Sequence, residues 1–263
     1  MTGKLDGRVA IVVGAGQTAG QTIGNGRATA LTFAREGARI VLVDRDLGSA
    51  EETAALIDGE TVVVAADVAS DDGPDDIVTA ALDAFGRIDI LHNNVGIGAG
   101  DGPPHHLTDD GYDGIMDVNL RGLWRMCRSA IPALRKSQHG AIVNVSSLAA
   151  IASATNLTAY KISKAGVNAL TQNLALSNAK YGLRANAIMP GFVDTPMAVD
   201  AAAQALAVDR DDYAAARAAM VPMRRQGTAW DVANAALFLA SDDSAWITGI
   251  ALPVDGGQSA RIG

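Results

Sequence analysis

The sequence predicts an α/β fold in which a single doubly wound parallel sheet carries helices on both faces. Three observations lead there. Short apolar runs of strand length alternate along the chain with segments of helical periodicity, the pattern of repeated βαβ units. The first run, Val9-Ala10-Ile11-Val12-Val13, is apolar at every position, which suits a strand covered on both faces. A glycine-rich turn then joins it to a helical segment, and the following strand ends on an acid, Asp44.

The 263 residues fit one large α/β domain, and no linker interrupts them, so residues 1–263 are read as a single unit. Apolar residues make up 49% and charged ones 19%, enough for a sizeable core and unlike a disordered chain. A formal charge of -8, with Arg224-Arg225 the only notable adjacent basic pair of the second half, argues against nucleic acid as a partner. The N-terminus lacks a long apolar leader and no run approaches the ~18 apolar residues of a span, so a cytoplasmic location away from membranes is expected. Cys127 is the only cysteine, which excludes an intramolecular disulfide and a thiolate-rich zinc site; a packed, inert thiol is expected.

Glycines follow the first strand at 14, 16, 20, 24 and 26, and a helix is predicted from Arg27 to about Arg35, then a strand over Arg39–Val43. Strand, glycine loop, helix, strand and acid together make a Rossmann-type dinucleotide-binding unit. Its glycines let backbone amides approach a pyrophosphate, and the helix N-terminus favours the charge. Gly14, Gln17, Gly24, Asn25 and Gly26 are the candidate contacts. Asp44 lies twenty residues after Gly24, where an acid accepts hydrogen bonds from ribose hydroxyls. A 2′-phosphate there would bring like charges about 4 Å apart, at a cost on the order of a few kcal/mol. NAD is therefore expected over NADP, although the adjacent Arg45 could soften the preference, and a plain strand-end turn acid is the alternative for Asp44.

Thr61–Ala65 reads as the third strand, followed by Asp67-Val68, and Ile88–His92 as the fourth, running into Asn93-Asn94-Val95-Gly96. A buried Asn pair needs hydrogen-bond partners; His92 reads as a satisfied structural histidine. His105-His106, with Asp101, Asp109 and Asp110 nearby, brings metal to mind. Neighbours on an extended loop point to different sides and the helical spacing of zinc histidines is absent, so no metal is expected. A long helix is predicted over about Asp110–Leu134, with Asn119 in its middle; Asn there competes for backbone hydrogen bonds, which suggests a functional or kink role.

The strand Ala141–Val145 delivers Ser146 and Ser147 to its end, and a helix begins near Thr158. Tyr160 and Lys164 then share one helical face. An ammonium stabilises a phenolate, so Lys164 can lower the Tyr160 pKa, while the Ser147 hydroxyl holds the oxygen of an alcohol or carbonyl. Taken alone, the pair fits an ordinary amphipathic helix equally well. Arg184–Ile188 is a further strand leading to Pro190-Gly191-Phe192-Val193-Asp194-Thr195-Pro196. Residues 197–226 read as helices over the substrate, a lid or a plain amphipathic pair; 228–240 is helical, and 247–257 holds the last strand.

The glycine loop, Asp67, the Asn-Asn-Val-Gly segment, Asn119, Ser147 with Tyr160-x3-Lys164, and the Pro-Gly loop occur in that order, and together they resemble the short-chain dehydrogenase/reductase family over nearly the whole chain. The resemblance implies that Asn119, Ser147, Tyr160 and Lys164 are catalytic, with Asn119 holding a water near Lys164 and Lys164 binding the nicotinamide ribose. It also implies that Asp67 and Val68 meet the adenine, an N-cap or turn acid being the alternative for Asp67, that Asn94 and Gly96 border the cofactor, and that Pro190, Val193 and Thr195 clamp the nicotinamide carboxamide. The implied function is NAD-dependent interconversion of a secondary alcohol and a ketone, in a homotetramer assembled through helices at about 110–135 and 158–178. An NADPH-dependent ketoreductase of the 3-oxoacyl or carbonyl reductase type, or a non-catalytic dinucleotide-binding regulatory protein, are the alternatives. Ile97, Phe192 and Met197 suggest an apolar substrate pocket. One departure stands out: nine residues separate Gly14 from Gly24 where the family places three. The extra segment Gln17–Thr22 is read either as wrapping the adenosine side of the cofactor or as a solvated bulge.

Overall fold

Every residue of β1 (Val9–Val13) is buried in the computed structural model, which describes residues 3–260. The other strands are β2 (Arg39–Asp44), β3 (Thr61–Ala65), β4 (Ile90–Asn93), β5 (Ala141–Val145), β6 (Arg184–Pro190), the short β7 (Val193–Asp194) and β8 (Gly227–Thr228), and β9 (Ala251–Val254). Seven of them form one sheet in the order β3-β2-β1-β4-β5-β6-β9 with every pairing parallel. β7 and β8 pair separately.

Helices cover both faces, which explains the unbroken apolar strands. Ala10 and Val12 pack against Ala30 and Phe33 of α1 (Asn25–Arg35) and Val232 and Ala236 of the late helix at Ala229–Ala240. Ile11 and Val13 face the opposite layer, which includes Met126, Cys127 and Val167. Burying a side chain of this size contributes roughly 1.5–3 kcal/mol, so β1 and its two coats form a large share of the core. The chain leaves β1 toward β2 and β3, then returns to place β4 on the other side. A crevice therefore opens at the carboxyl ends of β1 and β4, where strand order reverses.

α2 (Leu47–Ala54) and α3 (Gly73–Phe85) connect the first strands. The helix predicted over 110–134 is divided. α4 (Asp109–Met116) passes into a π-helical turn, Asp117–Gly122, before α5 (Leu123–Leu134) resumes. Asn119 sits inside that turn, so the kink role read for a mid-helix Asn coincides with a local widening of the helix. α6 (Thr158–Asn178) follows β5; α7 (Ala201–Leu206) and α8 (Arg210–Met220) form the segment after β7, and α9 (Ala229–Ala240) precedes β9. The last strand is shorter than expected because Asn186 intervenes: its Nδ2 donates to the Ile247 carbonyl at 2.9 Å and its Oδ1 accepts from Ile250 N–H at 3.2 Å.

Two readings of histidine need correction. His92 is fully buried, but neither ring nitrogen has a hydrogen-bond partner among the described residues; its neighbour is the edge of Phe33, with ring centroids 6.0 Å apart. Burial pushes its pKa down to about 3, so it is a neutral, unsatisfied core residue. His105 and His106 do not point apart. They occupy a turn and their rings lie 4.3 Å from each other. Cys127 is buried, its thiol pushed up to about 12 by burial. Among the described residues no helix is long and apolar enough to cross a membrane, and no group of three His, Cys, Asp or Glu side chains is placed to hold a metal ion.

Candidate active site

β5 ends at Val145 because the chain turns there into Ser146 and Ser147, and α6 then brings Tyr160 and Lys164 back over the strand end. Ser147 is extended and caps a short 3₁₀ turn at Leu148–Ala150, accepting from Ala149 N–H at 3.1 Å, which leaves its hydroxyl proton free to donate. Lys164 is 2% exposed and its ammonium donates to the Val145 carbonyl at 2.9 Å. The same Nζ lies 5.7 Å from the centroid of the Tyr160 ring. Ser147, Tyr160 and Lys164 line one cleft of about 480 Å³.

The electrostatics differ from the simple expectation. Withdrawal from water pushes the Tyr160 pKa up, opposed by the Ser147 hydroxyl, and burial pushes Lys164 down to about 8. Each group is held toward its neutral form because the desolvation that brings them together penalises both charges. Lys164 spends one hydrogen bond on Val145.

Asn119 is the one predicted catalytic residue outside the cleft lining. It is fully buried, with Oδ1 accepting from Ile97 N–H at 2.8 Å and Nδ2 donating to the Ile97 carbonyl at 2.9 Å and the Ser163 hydroxyl at 3.1 Å. It therefore clamps the segment after β4 to α6. Gly96, between the two, shows how close that approach is: a Cβ there would come within 2.9 Å of Lys164 Nζ and 3.6 Å of Asn119 Oδ1.

The predicted cofactor residues line the same cleft without exception: Gly14, Gln17, Gly24, Asn25, Gly26, Asp44, Asp67, Val68, Asn94, Gly96, Pro190, Val193 and Thr195. Gly14 and Gly26 meet directly, since a Cβ on Gly26 would fall 1.7 Å from the Gly14 carbonyl oxygen. The neck of the loop is thus closed in spite of its length, and the insertion leaves as an excursion from that neck. Gly24 is in open space and only starts α1; no side chain caps the helix. Uncapped amides at the start of α1 fit an anionic ligand, while the Asn25 Oδ1, buried without a partner, is an acceptor that fits a hydroxyl or amino donor of the same ligand. Asp44 stands at the far end, accepting from Gly16 N–H at 2.9 Å and Asp46 N–H at 3.1 Å.

Several cleft residues carried no sequence motif. Ser49 lies on α2, a helix the sequence reading did not identify, and accepts from Gln17 N–H at 2.6 Å. Asp101 is another. The residue before α6, Leu157, cannot cap it, and the Asp101 carboxylate does so from the loop after β4, accepting from Ala159 N–H at 3.0 Å and Tyr160 N–H at 2.8 Å. The missing cap was the available signal. Phe192, read as pocket-lining, instead lies under the Arg217 guanidinium, 4.3 Å from its ring centroid, and is not among the lining residues. Ile97 and Met197 do line the cleft.

A parallel sheet in this order, with a glycine cradle and a Tyr-Lys pair on opposite walls of one cleft, defines an oxidoreductase of the nicotinamide-dinucleotide class. Comparison with known proteins agrees. A family model described as enoyl-(acyl carrier protein) reductase matches residues 19–259. The chain is 35% identical over 265 residues to levodione reductase of Leifsonia aquatica, covering 98% of this chain and 97% of that one. It is 35% identical over 260 residues to 2-(R)-hydroxypropyl-CoM dehydrogenase of Xanthobacter autotrophicus, covering 96% and 99%. The structure of carveol dehydrogenase from Mycobacterium avium, in complex with NAD, superposes with a TM-score of 0.92 at 29% identity, covering 99% of this chain and 100% of that one. The chain belongs to the short-chain dehydrogenase/reductase family.

Proposed function

We propose that the protein is an NAD-dependent oxidoreductase interconverting a secondary alcohol and a ketone, with Tyr160 as general acid and base. The observation that carries this reading is the convergence of the Tyr160 phenol, the Ser147 hydroxyl and the buried Lys164 ammonium on one cleft whose other end is Asp44. A bound nicotinamide dinucleotide supplies the hydride acceptor or donor; the protein supplies position and charge. Ser147 orients the substrate oxygen by hydrogen bonding. Tyr160 takes the hydroxyl proton during oxidation and returns it during reduction. Lys164 offers its charge behind the phenol, and Asn119, locked to Ile97 and Ser163, keeps the two walls in register. The α1 N-terminus and Asn25 would hold the pyrophosphate, with Pro190, Val193 and Thr195 at the nicotinamide end.

NAD is preferred over NADP in this reading because Asp44 and Asp46 face the adenosine end, and the Gly16 amide that could bind a phosphate already donates to Asp44. The relatives named as acting on levodione, hydroxypropyl-CoM and carveol support small oxygenated substrates. The proposed assembly is a homotetramer, and Trp124, Ile162 and Leu176 are exposed on the helices that would form it. Tyr160→Phe is expected to lower kcat by at least about 10³-fold with NADH affinity retained. Unchanged turnover would overturn the assignment. NADPH bound more tightly than NADH would favour the ketoreductase alternative, and dinucleotide binding without turnover across alcohols and ketones would favour a regulatory protein.

A further inference from the structure

The excursion of the glycine loop begins at the Asp44 end of the cleft and does not stop there. Its first residues stay there, held by Gly16 N–H on Asp44 and Gln17 N–H on Ser49. The rest crosses to the opposite lip of the cleft. Gln21 N–H donates to Asp200 Oδ1 at 3.0 Å, and the Thr22 hydroxyl donates to Asp194 Oδ1 at 3.4 Å. Gly20 lies so near that lip that a Cβ would reach 2.7 Å from Pro196 Cβ and 2.9 Å from Asp200 Cγ.

Both ends of this bridge are stiffened. On the loop side Gln17 staples the excursion shut, its Nε2 donating to the Thr22 carbonyl at 3.1 Å while its Oε1 accepts from Gly24 N–H at 3.1 Å. On the other side Arg210 of α8 forms an ion pair with Asp194, and its Nε lies 3.8 Å from Asp200 Oδ1. All three side chains are mostly withdrawn from water, between 17% and 24% exposed. The walls beneath are cleft walls: Gln17, Thr18 and Gly24 on one side, Thr195, Pro196, Met197 and Ala198 on the other.

We propose that Gln17–Thr22, docked on Asp194 and Asp200, is a latch across the dinucleotide cleft, and that its opening sets how fast the cofactor enters and leaves. This rests on the dinucleotide reading above. The contacts are made by protein groups alone, and in this proposal they break for exchange in either direction. A residue that merely touches a ligand governs its escape; a latch governs entry and escape together. Arg210 also ties the latch to the helices over the substrate end, so cofactor release is coupled to the opening of that segment.

The test is stopped-flow NADH fluorescence on the full-length protein, measuring association and dissociation rates for the wild type, Asp200→Ala and Gly20→Val. The first variant removes the acceptor of Gln21 N–H; the second wedges the loop from Pro196, so either alone is informative if the other fails to fold. Both rates are expected to rise together by about tenfold, with Kd changing by less than about threefold. Rates within about twofold of wild type, or faster dissociation with unchanged association, would overturn the latch while leaving the dinucleotide reading standing. A wild type that binds neither NADH nor NADPH would overturn that reading, and the latch with it.

Discussion

At the scale of single residues, the charge-bearing groups are placed where water is scarce, and this has measurable consequences. His92 titrates at about 6.5 when unfolded and is pushed down to about 3 in the fold. Between those values the unfolded chain binds the extra proton, so stability falls as pH falls through this window, by up to roughly 4–5 kcal/mol. His92→Leu should flatten that acid limb in urea unfolding at pH 4 to 7, and should gain ~1–3 kcal/mol at neutral pH by removing unpaired ring nitrogens. The same acid limb in wild type and variant would show that the histidine is not the source. For the reaction, burial raises the Tyr160 pKa and so favours the neutral phenol. Alcohol oxidation needs its base form and should accelerate with rising pH, by up to about tenfold per unit, whereas ketone reduction should not. Initial rates in both directions from pH 6 to 9 decide this.

At the scale of elements, α6 depends on a residue far away in sequence. Asp101 accepts two of its first amides, one of them from Tyr160 itself. Asp101→Ala should cost about 0.5–2 kcal/mol, the usual worth of an N-cap, and Asp101→Asn should restore most of it. Chemical denaturation measures the first effect. The π turn makes a parallel case: Asn119→Ala removes three hydrogen bonds in a site without water access, and a loss of roughly 2–4 kcal/mol is expected in the same assay. A loss below about 0.5 kcal/mol would mean that Ile97 and Ser163 find other partners.

At the scale of the whole molecule, the crevice between β1 and β4 joins what the chain separates. The cradle, Asp44, Ser147 and the Pro-Gly loop come from four strand ends of one sheet, with the Tyr-Lys pair added from α6, and a ligand spanning them should stabilise the entire fold. NADH at about 100 times its Kd should add about 2.7 kcal/mol and raise Tm accordingly. NADPH at the same concentration should raise it less if Asp44 repels a 2′-phosphate. Equal shifts would remove the basis for preferring NAD.

The sequence by itself determined the sheet and most of the cleft. Apolar runs report strands buried on both faces, and ordered short motifs report the site, because strand ends and their loops are contiguous in the chain: Gly14, Asp44, Gly96, Ser147 and Pro190 were all legible for this reason. Only the tertiary structure decided where the inserted loop goes, what caps α6, that Phe192 faces Arg217, that His92 is unpartnered and that Tyr160 and Lys164 shift toward neutrality. Each of these depends on a contact between segments far apart in the chain or on the exclusion of water by packed layers. Local pattern records neither, since hydrogen-bond partners and dielectric surroundings exist only once distant segments have met.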